Sequence, residues 1–267
     1  MKWGKFVSRV VSDELKSERM RELENVVNEL IEKLEEESFY VFNLLQNCIS
    51  TAVQTKRKKF SLEQLYEILF ASYEVSDVKK LLLLVNQDVD ARKLEVIRLA
   101  LRDLDEEQIK FALGFALRKD FDELQLRQIL LGLKQGLTKE QVSVYAKSEF
   151  DYSQMSEIRI GFVRGFGVQK IQEYANHEYT RLQMRAIRAG WLLGWEKAKS
   201  LEVIDAMSLL AFAHVAYQVL FNEELLDFDE DGRLDKVFAS QMLEFDEKNK
   251  PEQKQNRGGR KKTERGV

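Results

Sequence analysis

Apolar side chains return along this chain at spacings of three and four residues, the period of an amphipathic helix, and the spaced phrase itself then returns as a block. Phe121, Phe150 and Tyr179 stand 29 residues apart and open the phrases FDELQLRQILLGLKQGL, FDYSQMSEIRIGFVRGFG and YTRLQMRAIRAGWLLGW. Counted from the aromatic, offset four is Gln (Gln125, Gln154, Gln183), offset five is Leu or Met (Leu126, Met155, Met184) and offset eight is Ile (Ile129, Ile158, Ile187). Glycines occupy offsets eleven and fifteen, as Gly132 and Gly136, Gly161 and Gly165, Gly190 and Gly194. Tyr145-Ala146 and Tyr174-Ala175 recur at offsets 24 and 25. Weaker copies begin at Phe60, with Gln64, Leu65 and Ile68, and at Val89, with Leu94 and Ile97. The step from Val89 to Phe121 is 32 residues, so one of the five units carries a three-residue insertion.

At about 100° per residue, offsets four, five, eight, eleven, twelve and fifteen share one helical face, the buried stripe of a first helix. A second helix follows a turn: Thr138 with Gln141 forms a capping-box pattern, and Asp77 or Ser76 precedes VKKLLLLVN. An interior glycine costs about 1 kcal/mol relative to alanine. The pattern therefore predicts close approach of a neighbouring helix at offset eleven and a left-handed C-cap at offset fifteen. The glutamines lie within the stripe, where an unmade hydrogen bond costs about 1–3 kcal/mol. Backbone groups of a neighbouring helix end or loop are their expected partners. A single pair cannot cover its own apolar face, so neighbours must stack. The expected fold class is all-α: a helical-hairpin repeat array of the α-solenoid type with N- and C-terminal capping helices, a disordered basic tail and no sheet. Its expected divisions are 1–59, an N-terminal helical cap; 60–199, the five-unit array; 200–245, a C-terminal cap with an acidic loop; and 246–267, the tail.

Composition agrees. Of 267 residues, 44% are apolar, 33% are charged, 13 are glycine and one is proline, which lacks the turn chemistry of sandwiches and propellers. Cys48 alone excludes an intramolecular disulfide, and His177 and His214 complete no zinc set with it. Neither metal nor cofactor is expected. The densest apolar run, Ala206 to Phe221, is interrupted by Ser208, His214 and Gln218 and is too short for a bilayer. The opening MKWGKFVSRVVSDELK lacks the apolar stretch of a secretory signal. A cytoplasmic protein without membrane contact is expected.

The phrase Gln-Met-x-x-Ile-Arg-x-Gly-x-x-x-Gly followed by Tyr-Ala, here Gln154 to Gly165 with Tyr174-Ala175, resembles tandem helical repeats of uncharacterised accessory proteins from Gram-positive bacterial mobile elements and phages. Phe121 to Trp195 fits well and Phe60 to Asp120 poorly. The resemblance implies a helical repeat in a mobile-element setting and brings no catalytic residue.

The flanks lie outside it. Residues 13–36 form a charged amphipathic helix with Leu23, Val27, Leu30 and Leu34 on one seam; it either caps the array or makes a homodimer. Ser38 to Thr55 continues as a helix, with Cys48 a small buried thiol beside Phe42, Leu45, Ile49 and Val53. Lys56, Arg57, Lys58 and Lys59 are either phosphate contacts or a solvated linker. Leu201 to Asn222 reads as a terminal capping helix containing His214, a packed side chain rather than a base. Ten acids face two bases between Leu201 and Phe245. Asp227 to Gly232 matches the first half of a calcium loop, yet Phe238 stands where its bidentate Glu belongs, which favours an acidic loop turning at Gly232 over a calcium site. From Lys248 onward no large apolar residue precedes Val267.

No paired carboxylates, phosphate loop or nucleophile elbow appears, and GFVRGFG (Gly161 to Gly167) follows no strand, so no enzyme is expected. Arg98, Arg159 and Arg188 share offset nine, with Arg127 and Arg185 at offset six, flanking the apolar stripe. At a stripe edge, arginines either pair with a neighbouring carboxylate such as Glu157 or Glu178, or meet a partner. On the second reading Arg127, Arg159, Arg185 and Arg188 are the partner-binding residues. The function expected is an adaptor or inhibitor that grips another protein or a protein–nucleic-acid complex through the repeat face. A nucleic-acid binder is the alternative, disfavoured by a pI near 5.7. If the period is structural, Ile68, Ile97, Ile129, Ile158 and Ile187 should be equivalently buried.

Overall fold

The computed structural model describes residues 11, 18–56, 59–75, 77–85, 89–207 and 233–248. Among them are thirteen helices: α1 (Glu18–Glu37), α2 (Phe39–Lys56), α3 (Leu62–Glu74), α4 (Val78–Val85), α5 (Ala91–Ala100), α6 (Glu106–Ala116), α7 (Glu123–Lys134), α8 (Lys139–Tyr145), α9 (Tyr152–Val163), α10 (Val168–Gln172), α11 (Arg181–Leu192), α12 (Lys197–Ala206) and α13 (Arg233–Lys248). No strand occurs among the described residues, which hold only an isolated parallel bridge between Val11 and Phe60. The five period isoleucines are each 0% exposed.

The chain divides into two compact units, Met1–Met184 and Arg185–Val267. In the first, α1, α3, α5, α7 and α9 pack side by side in that order as one layer of first helices. Against them lie the second helices, with α2 on α4, α4 on α6 and α8 on α10. Each first helix also packs on the second helix of its own hairpin. α1 and α2 belong to this compact unit, with Val27, Ile31 and Leu34 of α1 buried and the Tyr73 hydroxyl donating to the Leu30 carbonyl at 2.6 Å.

The first four of the array's five first helices start on a side-chain cap at offset one. Ser61, Asp90, Asp122 and Asp151 accept from the backbone of residues three further on, contributing about 1 kcal/mol per cap. In three of the four, the offset-four glutamine returns the bond and completes a capping box.

The repeated glycines have the two predicted causes. A Cβ on Gly132 would overlap the Tyr145 hydroxyl, and one on Gly161 the Tyr174 hydroxyl. Those hydroxyls donate to the carbonyls of Gln128 (3.2 Å) and Glu157 (3.1 Å), so the second helix closes on the first through the missing side chain. Gly136 has φ +82°, and the Leu137 amide donates to the Gly132 carbonyl at 3.0 Å, the Schellman arrangement that absorbs the last carbonyls of α7.

In the second unit α12 packs on α13, burying Phe238 and Met242, and Lys199 Nζ meets Asp246 Oδ1 at 2.5 Å. Ser200 fills the space over Gly190 that tyrosine fills in the preceding hairpins. The expected helix from Leu201 to Asn222 is corrected here: α12 ends at Ala206, where extended backbone at the buried Met207 (φ −62°, ψ 129°) breaks the helical path. Beyond Gly232 the chain is helical from Arg233, the start of α13. His214, the Asp227–Gly232 stretch and the tail from 249 lie outside the described residues. Cys48 is half-buried, and burial raises its thiol above the ordinary range.

Gly132→Ala should lower stability by about 1–3 kcal/mol through overpacking. Tyr145→Phe removes the overlapping oxygen, so the double variant should be more stable than the sum of the two single changes; additive losses in denaturant titrations would show that the contact is not shared.

Candidate functional site

Two periodic polar positions run through the stacked layer. At offset four, Gln64 Nε2 donates to the Val89 carbonyl at 2.5 Å, Gln125 Nε2 to Phe150 at 2.6 Å, and Gln154 Nε2 to His177 and Tyr179, both at 2.8 Å. The same glutamines accept, through Oε1, from the amides of Ser61, Asp122 and Asp151. One amide thus ties its own helix start to the lead-in of the following unit. Gln183 Oε1 likewise accepts from the Thr180 amide at 3.0 Å. This ladder holds the units together and offers no ligand a free group.

At offset nine the arginines reach backward. Arg98 donates from Nε to Glu67 Oε2 and from Nη1 to Glu74 Oε2, both at 2.7 Å, and its guanidinium lies 4.7 Å from the Phe70 ring centroid. Arg159 repeats the geometry with amides, Nε to Gln128 Oε1 at 3.0 Å and Nη1 to Gln135 Oε1 at 2.5 Å. In both cases the acceptors sit at offsets seven and fourteen of the preceding unit. Burial alone would lower the Arg98 guanidinium, but its hydrogen bonds to Glu67 and Glu74 outweigh it and raise its pKa. Burial pushes the Glu67 carboxyl up; Arg98 pulls it back, and the charges of Glu95 and Glu74 add to the rise.

The sequence left Arg159, Arg185 and Arg188 at a stripe edge, to pair with a neighbour or to meet a partner; they are 1%, 2% and 1% exposed, which takes them off the surface. The correction has a physical cause: stacking widens the buried face beyond the apolar stripe, so offset nine of Arg159 falls against the preceding helix. Arg127 is exposed on α7, and the four arginines therefore do not form one surface. Glu157, fully buried, accepts from Arg181 Nε at 3.2 Å. Lys59 is exposed, Lys56 ends α2, and Arg57 and Lys58 lie outside the described residues. Among the described residues no cluster of His, Cys, Asp and Glu could hold a metal ion, and no helix is long and apolar enough to cross a membrane.

On α3, α5 and α7 offsets three and six are left outward, as Glu63 and Tyr66, Arg92 and Glu95, and Leu124 and Arg127, whereas on α9 offset six, Ser156, is buried. With Arg19, Glu22, Leu23 and Val26 of α1, the α3 and α5 residues line a groove of about 600 Å³. Sequence reasoning missed this surface, although the absence of apolar repetition at offsets three and six was its signal. A second hollow of about 590 Å³ lies over the helix starts, but Ser61, Gln64, Asp90 and Lys93 in its wall are engaged in caps and ladder.

No protein-family model, curated protein or solved structure matches this chain.

The two arginine junctions make a prediction. Glutamine serves at both acceptor positions of Arg159, so Glu67→Gln with Glu74→Gln should cost only about 1 kcal/mol, whereas Arg98→Ala, which strands buried Glu67, should cost about 3–5 kcal/mol. Equal losses in thermal or denaturant unfolding would refute the equivalence of the junctions.

Proposed function

We propose that the chain is a non-enzymatic helical-repeat interaction protein, an adaptor or inhibitor of a bacterial mobile element or phage, whose hairpins form an end-capped α-solenoid and whose first-helix face binds a macromolecular partner. One observation carries this reading. The inward polar positions repeat and are bonded between units, whereas in the first three units offsets three and six turn outward and hold a different pair in each: Glu63/Tyr66, Arg92/Glu95, Leu124/Arg127. A constant frame that displays variable side chains is how repeat arrays build recognition surfaces. The mobile-element setting rests on the repeat phrase alone.

Nucleic acid as the principal partner is disfavoured by the burial of Arg159, Arg185 and Arg188 and by the acids of the groove. Charge reversal of Arg159 with Arg188 should accordingly lower the melting temperature instead of selectively abolishing binding, because it places carboxylates in the core.

The test is affinity capture with the full-length protein from its native host, with nuclease treatment. The expected result is a stoichiometric protein partner that survives nuclease. Arg127→Glu with Leu124→Ser, both exposed, should weaken its binding by about tenfold or more, about 1.4 kcal/mol, at an almost unchanged melting temperature. Tight binding of plain DNA or RNA instead, with affinity falling linearly on a log-log salt plot, would overturn the reading in favour of phosphate recognition.

A further inference from the structure

The groove across α1, α3 and α5 has a composition the stacked layer does not require. Its floor is apolar: Leu23 and Val26 of α1, Tyr66 of α3 and Ala91 of α5, with Val26 40% exposed. Val26 lies beside the face of α1 that is buried through Val27, Ile31 and Leu34, and Leu23, at the start of that face, is only half-buried. Its rim carries Glu22, Glu63 and Glu95, none of which makes an ion pair among the described residues, and Glu67, already held by Arg98, lies at its base. Two cations share the lining: Arg19, and Arg92, whose guanidinium is drawn toward Glu123 at 3.6 Å. Only Glu63 lies in a first helical turn, where the helix dipole would account for a carboxylate. Glu22 and Glu95 have no such cause.

We infer that this groove docks a cationic amphipathic segment of a partner protein, a stretch in which Lys or Arg alternates with apolar residues. The inference rests on the interaction-protein reading and names the partner's chemistry. Apolar side chains of such a segment cover Leu23, Val26 and Tyr66, while its cations reach Glu22, Glu63 and Glu95. The volume accommodates a few side chains, within the range of preformed binding clefts of about 300–1,000 Å³. Polyanions are repelled by the same rim. A second copy of α1 is a poor occupant, because Glu18–Glu37 holds eight acids against three bases and would meet its like charge.

The experiment uses the full-length protein and a fluorescein-labelled amphipathic Leu/Lys helical peptide, with a Leu/Glu peptide of the same pattern as the counterpart. The parent should bind the Leu/Lys peptide and not the Leu/Glu one. Glu63→Lys with Glu95→Lys should weaken binding about tenfold or more, and Val26→Asp by a comparable factor, with melting temperatures almost unchanged. Reversal of the exposed Glu140 and Glu149, remote from the groove, should leave the affinity as it was. Equal weakening by that control pair shows general charge attraction and overturns the site, as does parental affinity in both groove variants or no binding by the parent. If the groove variants bind like the parent while the α7 variant still loses the host partner, the interaction reading stands and this site falls.

Discussion

A polar side chain buried at a helix–helix junction must find its hydrogen bond in the neighbour or cost about 1–3 kcal/mol, and this fixes how the units of the protein stack. Purely apolar stripes could slide against one another by a turn with little loss. Gln125 cannot: its amide donates to the Phe150 carbonyl while its oxygen closes the cap at Asp122. A slipped register would leave buried groups on both sides without partners. The arginines at offset nine add a second bond set pointing the other way, so adjoining first helices are tied by a forward glutamine and a backward arginine.

The chain contains three chemical solutions to the same junction. Between the first and second units it is ionic, with Glu67 and Glu74 on Arg98. Between the third and fourth it is an amide pair, Gln128 and Gln135, on Arg159. Between the second and third, offsets seven and nine are the apolar Val96 and Leu130, and only offset fourteen is polar, Asp103 meeting Lys134 at 2.7 Å. Buried ion sets and well-packed apolar groups of similar volume are often close in net stability, because desolvation cancels much of the Coulomb gain. The difference between the solutions therefore lies in specificity: each junction recognises the neighbour that carries its complementary groups.

Much of this architecture was legible. The 29-residue period, the five equivalent isoleucines, both glycine roles and the glutamine ladder follow from spacing and from the cost of an unbonded amide, all local or nearest-neighbour physics. The interior arginines were legible only as one of two alternatives, because angle along one helix gives a side chain's direction but not how far the next helix overlaps it. Arg159 and Arg127 are both arginines beside the stripe; the neighbour buries one and not the other. The end of α12 escaped because nothing in the composition around Met207 marks the extended backbone found there. The outer groove escaped because most of its lining stands at positions that do not repeat, so the period carries no sign of it.

The irregular unit shows that the ladder answers a physical demand rather than a habit of sequence. Three extra residues before Phe121 displace the lead-in that a glutamine at position 93 would have to reach. Lysine stands there instead, buried, with Nζ donating to the Ala116 carbonyl at 3.2 Å and the Arg118 carbonyl at 2.9 Å. Its longer stem carries the donor across the altered gap, and its charge meets the Asp90 cap at 3.8 Å, where elsewhere the glutamine oxygen would close a capping box. The carbonyls at the end of one hairpin need a donor from the helix before it, and lysine meets that need where the geometry has moved out of glutamine's reach. An inserted loop is thus absorbed by one side chain, and α5 and α7 still pack as neighbours in the layer.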